Sequence, residues 1–243
     1  MRALFISDLH LSSERPGTNE QFFRFIDEEA RRAGALYILG DLFEYWVGDD
    51  ELAGSGGDRL AADVAGALKA LSEQGIAVSV MHGNRDFLIA KGFCEATGAA
   101  LLDDPAVVQT GNDKTLLMHG DTLCTDDHDY QNWRRTARSA EWQRDFLSKS
   151  LAERHKSIQG MREKSKEVIA AKPADIMDVN EGAVKDAFRK HRVRRLIHGH
   201  THRPGRHDIE VDGHDCVRWV LPDWYGSGGY LALDDVGARL VSF

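Results

Sequence analysis

Five short segments of the sequence carry side chains that can hold metal ions, and each follows directly after a run of apolar residues. They are Asp8-Leu-His10, Gly40-Asp41, Gly83-Asn84-Arg85-Asp86, His119-Gly-Asp121 and His198-Gly-His200-Thr-His202. Each segment alone is typical of an ordinary turn, but their regular recurrence indicates one shared site. Carboxylate, imidazole and amide groups without a thiolate favour Mn²⁺, Mg²⁺ or iron over structural zinc.

The spacing within two of these segments suits ion binding. Asp8 and His10 are two residues apart, so in an extended chain both side chains face the same side and can hold one ion. His198 and His200 have the same spacing and can straddle a turn, one for each of two ions.

The elements that must position these ligands are strands that alternate with helices. Strands are predicted at residues 3–7, 36–39, 76–81, 115–118 and 195–197. Helical patterns over 19–33 and 58–74 separate the first three strands, which predicts βαβ units and a sheet covered on both faces. The carboxyl ends of such strands line one crevice, where ligands far apart in sequence can meet. Runs at 216–221, 229–233 and 238–243 predict a second, more antiparallel sheet.

The stretch between the fourth and fifth predicted strands is much longer than one crossover helix requires. Within it, residues 130–172 carry 11 Lys and Arg against 5 Asp and Glu, although the whole chain has a net charge of −8. Aromatic and aliphatic residues are spaced among these charges as in amphipathic helices. We interpret the insertion as a helical lid over about 123–175. Ordinary solvated helices are the alternative.

Composition limits the class of protein. With 243 residues, 42% of them hydrophobic, the chain can form one large domain, and we expect a single domain over 1–243. The negative charge argues against a nucleic-acid partner. No apolar run approaches the ~20 residues of a membrane-spanning helix, and the N-terminus enters a strand pattern without a signal peptide. We therefore expect a cytoplasmic protein, with its three cysteines reduced.

The series DLH, GD, GNRD, HGD and GHTH resembles the calcineurin-like metallophosphoesterases over most of residues 1–205. The resemblance implies an α/β fold of two packed mixed β-sheets flanked by helices, with two divalent ions at the strand ends. It implies that one ion is held by Asp8, His10 and His200, the other by Asn84, His119 and His198, and that Asp41 bridges them. Three residues fall outside this set and either orient the ligands or cap the turns: Asp86, Asp121 and His202.

Arg85 stands where many members of this family that cleave alkoxide-leaving esters carry a histidine as general acid. A guanidinium cannot usefully donate a proton, but it binds phosphate oxygens in a bidentate fork. The leaving group should therefore need no acid, as is true of a phosphate monoester with a second pKa of about 6. We predict cleavage of a pyrophosphate linkage. The residues expected to act in catalysis are Asp41, Asn84, Arg85, His119 and His198.

Longer segments, among them LGDLFEYWVGDD, HGDTLCTDD and LIHGHTHRP, resemble the branch of this family that cleaves a lipid-linked UDP-sugar in lipid A synthesis. The resemblance implies hydrolysis of UDP-2,3-diacylglucosamine at the α-phosphate, giving UMP and 2,3-diacylglucosamine 1-phosphate. It implies two Mn²⁺ per chain, a lid that encloses the acyl chains, and peripheral association with the cytoplasmic face of the inner membrane. Implied substrate contacts are Asn84, Arg85, Asp127, Ser165, Lys172 and His198, whereas Ile169 stands where a small polar residue is expected.

Two other interpretations remain open. A soluble nucleotide or dinucleotide pyrophosphatase would share the fold and the ions but would need no lid for acyl chains. A binding module that has lost catalysis belongs to a different class, and the complete set of expected ligands argues against it. Tyr45 and Trp46, close to the second segment, could line a pocket or pack in the core.

Overall fold

The computed structural model describes residues 2–53, 59–111, 113–171 and 176–243, and between 163 and 171 it describes the backbone alone. Within these ranges the strands are β1 (Ala3–Ile6), β2 (Ala35–Ile38), β3 (Ala77–Met81), β4 (Ala100–Leu102), β5 (Ala106–Thr110), β6 (Asp113–Leu117), β7 (Arg195–His198), β8 (Gly205–Val211), β9 (His214–Val220), β10 (Gly229–Asp234) and β11 (Gly237–Ser242). The helices are α1 (Pro16–Glu28), α2 (Arg59–Glu73), α3 (Lys91–Thr97), α4 (His128–Ala137), α5 (Ala140–Leu147), α6 (Leu151–Ala171) and α7 (Glu181–His191).

The strands form two mixed sheets. The first has the order β11-β10-β1-β2-β3-β4. In it, β1 to β4 are parallel to one another, and β10 is antiparallel to both of its neighbours, β1 and β11. The second has the order β5-β6-β7-β9-β8, in which β6, β7 and β9 are parallel. The predicted α/β class, with two sheets flanked by helices, is confirmed.

The predicted second sheet is present, but the C-terminal strands are divided between the two sheets. β9 lies beside β7 in the second sheet, whereas β10 pairs antiparallel with β1 and extends the first, with Leu231 opposite Phe5. Both β9 and β10 contain buried runs. Such a run fits a strand in either sheet, because alternation of apolar residues does not identify the neighbouring strand.

The central strands are apolar on both faces, because alternate side chains point into two different cores. On β1, Leu4 and Ile6 lie in the core between the first sheet and its helices, whereas Phe5 lies in the core between the two sheets. The ring of Phe5 stacks on Tyr37 of β2 with ring centres 4.9 Å apart. Burying one side chain of this size contributes about 1.5–3 kcal/mol. Such contacts hold the two sheets together and thereby fix the strand ends that carry the ligands.

The helices of the first sheet begin and end at residues with suitable backbone preferences. The helix predicted over 19–33 runs instead from Pro16 to Glu28 and is followed by a short 3₁₀ turn at Ala30–Arg32. Proline suits the first turn because its missing N–H would have no partner there. α2 is followed by Gly75, whose φ of +85° is readily adopted by glycine.

The predicted insertion contains helices α4, α5 and α6, which lie between β6 and β7 in sequence. α7 follows them and packs Val184 and Phe188 against the second sheet. No helix among the described residues is both long and apolar enough to span a bilayer. The action of α4 to α6 as a lid stays a prediction.

Candidate metal centre

Backbone hydrogen bonds connect the loops that follow the central strands. In the first sheet, the Asp8 N–H donates to the Gly40 carbonyl at 3.2 Å, and in the second, the Gly199 N–H donates to the His119 carbonyl at 2.8 Å. The His119 ring bridges the two sheets, because its Nδ1 lies 2.9 Å from the Leu39 carbonyl. The loops after β1, β2, β6 and β7 are therefore held at one edge of the molecule.

Strained backbone is concentrated at this edge. Five of the seven described non-glycine residues with positive φ lie here: Asp8 (56°), His10 (50°), Asp41 (52°), His200 (68°) and His202 (53°). Such conformations cost of order 1–3 kcal/mol each and cluster at functional sites. Two glycines permit the close approach of the carboxylates, since a Cβ at Gly83 would overlap the Asp41 side chain and one at Gly199 would overlap that of Asp8.

A first group of ligand atoms surrounds Asp8. The ligand atoms of Asp8, His10 and His202 all lie within 4.8 Å of one another. His202 Nε2 is 3.4 Å from Asp8 Oδ1, and His10 Nε2 is 3.7 Å from Asp41 Oδ2. Asp8 and His10 are buried, whereas the His202 side chain is 33% exposed. This group is thus deep in the protein but open on one side.

A second group of ligand atoms surrounds Asn84. The Asn84 amide oxygen lies 3.0 Å from His119 Nε2 and 3.0 Å from His200 Nδ1. His119 Nε2 is also 3.9 Å from Asp41 Oδ2. The Asp41 carboxylate therefore lies between the two groups, in the position expected of a bridging ligand.

The His198 side chain lies outside both groups, and its predicted role as an ion ligand stays a prediction. Its Nδ1 lies 2.9 Å from the Gly199 carbonyl, and its Nε2 lies 3.1 Å from a nitrogen of the buried Arg218 guanidinium, which can only donate. Burial, together with the charge of Arg218, lowers the pKa of His198 to about 3, so the ring is neutral. The His202 ring lies near Asp8 and His10, whereas His200 Nδ1 lies near Asn84 and the His200 N–H donates to Asp8 Oδ2 at 2.8 Å.

The two groups fit divalent cations. Among the described residues, Asp8 Oδ1 and both ring nitrogens of His10 are buried without a hydrogen-bond partner, which is costly unless something else satisfies them. Burial raises the pKa of Asp41. Burial would lower the pKa of His119, but the carboxylates of Asp41 and its neighbours outweigh it and raise that pKa to about 9. The centre thus concentrates negative charge, and its oxygen and nitrogen donors suit ions such as Mn²⁺ or Mg²⁺.

The comparison with known proteins shows the family of the chain. The sequence profile of the calcineurin-like phosphoesterases matches residues 1–204. The chain belongs to that family. It is 48% identical to the UDP-2,3-diacylglucosamine hydrolase of Aromatoleum aromaticum over 98% of this chain and 95% of the relative. It is 46% identical to the UDP-2,3-diacylglucosamine hydrolase of Pseudomonas paraeruginosa over 100% of this chain and 99% of the relative.

In this phosphoesterase, Asp86 joins the loops that carry Asp41 and Asn84. Its Oδ1 accepts hydrogen bonds from the N–H groups of Gly83 at 2.8 Å and Asp41 at 3.2 Å, and its Oδ2 accepts one from Leu42 at 2.8 Å. The two predicted alternatives for Asp86 are therefore the same interaction, because capping these turns also positions the ligands.

Asp121 connects the centre to α4. Its Oδ2 accepts hydrogen bonds from the Tyr130 hydroxyl at 2.6 Å and from Arg134 Nε at 2.7 Å. Burial opposes ionisation of Asp121, but His119, His200 and Arg134 hold its pKa below the usual range. Arg138, the residue that follows α4, donates to the Gly83 carbonyl at 2.8 Å. α4 thus rests directly on the loops of the metal centre.

The residues predicted to contact substrate have different surroundings. The Arg85 N–H donates to Asp41 Oδ1 at 2.8 Å, and the buried Nε of its guanidinium has no hydrogen-bond partner among the described residues. Asp127 caps the N-terminus of α4 by accepting from the Tyr130 N–H at 3.0 Å. Lys172 and the side chains of Ser165 and Ile169 lie outside the described residues.

Tyr45 and Trp46 differ in environment. The Trp46 ring is buried and stacks on Phe43 with centres 4.8 Å apart, as in a core position. Tyr45 instead lies between the His155 ring, 5.9 Å away, and the Arg162 guanidinium, 5.3 Å away, both on α6. Tyr45 and Trp46 also line a cavity of about 30 Å³ beside α6, which has room for one or two water molecules.

Sequence reasoning missed two residues that contact the centre. Tyr225 is 50% exposed, and its ring centre lies 5.0 Å from that of His10 and 5.3 Å from that of His202. Glu44 Oε2 lies 3.3 Å from His10 Nδ1. Nothing near Tyr225 in the sequence resembles a ligand motif. Glu44 could have been proposed from the sequence, since it lies shortly after Asp41 and the second segment.

We expect Mn²⁺ to raise the melting temperature of the metal-free protein. An ion that binds only the folded state at a hundred times its Kd contributes about 2.7 kcal/mol, which for a chain of this size corresponds to roughly 5–10 °C. Differential scanning calorimetry with and without EDTA measures the shift, with Na⁺ at equal ionic strength as control. An unchanged melting temperature would count against an ion at this centre.

Proposed function

We propose that this phosphoesterase hydrolyses the pyrophosphate bond of UDP-2,3-diacylglucosamine. Water attacks the α-phosphate, and the products are UMP and 2,3-diacylglucosamine 1-phosphate. The observation that carries the proposal is the Asp41 carboxylate between two groups of metal ligands, with the backbone of Arg85 bonded to it. Identity of 46–48% to UDP-2,3-diacylglucosamine hydrolases over nearly the whole chain supports this substrate.

We assign two Mn²⁺ ions to the centre. The first would be held by Asp8, His10 and His202, the second by Asn84, His119 and His200, with Asp41 shared between them. When bound, such a pair lowers the pKa of water, polarises the phosphate and stabilises the charge of an in-line displacement. The protein residues supply the fixed spacing, because Asp86 holds two of the ligand loops and Asp121 holds α4 against them.

Arg85 binds the diphosphate in this proposal. Its backbone is fixed by the bond to Asp41, while its buried Nε lacks a hydrogen-bond partner among the described residues. A guanidinium there can stabilise the negative charge that develops on the phosphate oxygens, by hydrogen bonds and without proton transfer. The departing sugar 1-phosphate is a weak base, with a second pKa of about 6, so it leaves without a general acid.

Helices α4 to α6 would cover the lipid part of the substrate. The basic stretch at 130–172 suits an anionic substrate and the anionic surface of the inner membrane, to whose cytoplasmic face we expect peripheral association. Trp133 and Leu147 are 42% and 43% exposed on this part of the molecule. Asp127, Ser165 and Lys172 remain proposed substrate contacts.

We expect Arg85→His to lower kcat/KM for UDP-2,3-diacylglucosamine by about 10- to 100-fold. Losing one or two charge-assisted hydrogen bonds to phosphate costs about 1.5–3 kcal/mol. Arg85→Lys keeps the charge but not the fork, so it should fall between His and wild type. Steady-state assays of UMP release compare the three proteins. Full activity of Arg85→His would show that the guanidinium has no role in the reaction.

Hydrolysis in H₂¹⁸O tests the proposed reaction. The Mn²⁺-loaded enzyme and UDP-2,3-diacylglucosamine should give UMP that contains one ¹⁸O, and a sugar 1-phosphate that contains none, by mass spectrometry. Incubating unlabelled UMP with the enzyme controls for exchange. Label in the lipid product would contradict attack at the α-phosphate. Equal turnover of UDP-glucosamine without acyl chains would favour the soluble pyrophosphatase instead.

A further inference from the structure

Glu44 lies between the candidate metal centre and the inserted helix α6. Its side chain is 10% exposed. Oε2 is 3.3 Å from His10 Nδ1, and Oε1 accepts a hydrogen bond from Arg162 Nη2 at 2.9 Å. One carboxylate thus contacts a residue of the ligand set on one side and α6 on the other.

The Glu44 carboxylate lies beside His10 Nδ1 at 3.3 Å, although the two atoms are not aligned as a hydrogen bond in this structure. A carboxylate beside Nδ1 favours the tautomer that carries its proton there, which leaves Nε2 free for an ion. His10 Nε2 is the atom that faces Asp41.

The contact with Arg162 is part of a row of interactions that fix α6 on the loop after β2. Arg154 is buried and donates to the Val47 carbonyl and to both oxygens of Asp50. His155 Nε2 lies 3.0 Å from Glu51 Oε1. Arg162 is the member of this row that reaches a residue in contact with the ligand set.

We propose that Glu44 is a positioning residue that holds the His10 ring for ion binding, and that Arg162 holds Glu44 when α6 is docked. Docking of α6 and binding of an ion at the Asp8 group then support each other. Because such coupling is reciprocal, α6 strengthens ion binding to the same extent that the ion stabilises docked α6. The inference concerns ion binding and does not depend on the identity of the substrate.

The first test measures Mn²⁺ affinity of the metal-free protein by calorimetric titration. Residues that orient a metal ligand typically contribute 10- to 100-fold in affinity. We expect Glu44→Ala to weaken one Mn²⁺ site within that range and Arg162→Met to weaken the same site several-fold. Lys156→Met is the matched control, because it removes a positive charge from an exposed position on the same helix. It should bind Mn²⁺ like the wild type.

The second test follows hydrogen exchange of α6 amides, with peptides from 151–162. Mn²⁺ should slow exchange in wild type and in Lys156→Met, but not in the nearly isosteric Glu44→Gln, which guards against a folding defect in Glu44→Ala. Wild-type Mn²⁺ affinity in both Glu44 variants would overturn the proposal. If affinity falls but Mn²⁺ leaves wild-type α6 exchange unchanged, the coupling is overturned and Glu44 acts on His10 alone.

Discussion

Asp41→Asn is expected to lower kcat/KM by about a thousandfold or more. Asp41 Oδ2 lies 3.7 Å from His10 Nε2 and 3.9 Å from His119 Nε2, so its charge serves both groups of ligands. A metal centre of this type contributes several kcal/mol to the transition state, and about 4 kcal/mol corresponds to a thousandfold. UMP release with saturating Mn²⁺ measures the loss.

The exposed Asp145 supplies the control for Asp41. Its side chain forms a helix-surface ion pair with Lys149 at 2.9 Å and has no other bonded partner among the described residues, so Asp145→Asn should retain wild-type activity. If Asp41→Asn retained more than about a tenth of the wild-type kcat/KM, a bridging carboxylate would not be needed, and the two-ion arrangement would have to be given up.

The second large effect separates His202 from His198. His202→Ala should weaken Mn²⁺ binding by at least about a hundredfold, because it removes a proposed ligand rather than a residue that merely orients one. His198→Ala should keep both Mn²⁺ ions. It should instead lower stability by about 1–3 kcal/mol, because the buried Arg218 loses its hydrogen-bond acceptor.

Metal content and thermal unfolding of the two variants distinguish these outcomes. Elemental analysis after dialysis against Mn²⁺ reports the ions retained, and calorimetry reports stability. Loss of ions in His198→Ala with retention in His202→Ala would restore the ligand set predicted from sequence. Equal loss in both would mean that the segment tolerates no change, and Arg218→Lys would then show whether the His198 contact alone matters.

The position of the centre could be predicted because it follows from strand order. Hydrophobic runs located β1, β2, β3, β6 and β7, and ligands that follow parallel strands must meet at one edge. Residues that pack against the ligands from remote parts of the sequence could not be predicted in the same way. Tyr225 comes from the other end of the chain, and its contacts depend on how β9 and β10 divide between the sheets.

The position of the His198 ring outside both ligand groups has a physical cause. β7 continues through His198, so alternation puts this side chain on the same face as Leu196, which packs towards α7. Arg218 stands opposite Leu196 in the register with β9 and meets His198 on that face. His200 and His202 come after the strand, where positive φ turns their side chains towards the ligands. Spacing alone could not show where the strand ends.

Anomalous diffraction at the manganese edge from crystals grown with Mn²⁺ tests the two-ion centre most directly. We predict two peaks about 3.5–4 Å apart, one between Asp8, His10 and His202 and the other between Asn84, His119 and His200, with Asp41 contacting both. A single peak, or a peak coordinated by His198, would contradict the account.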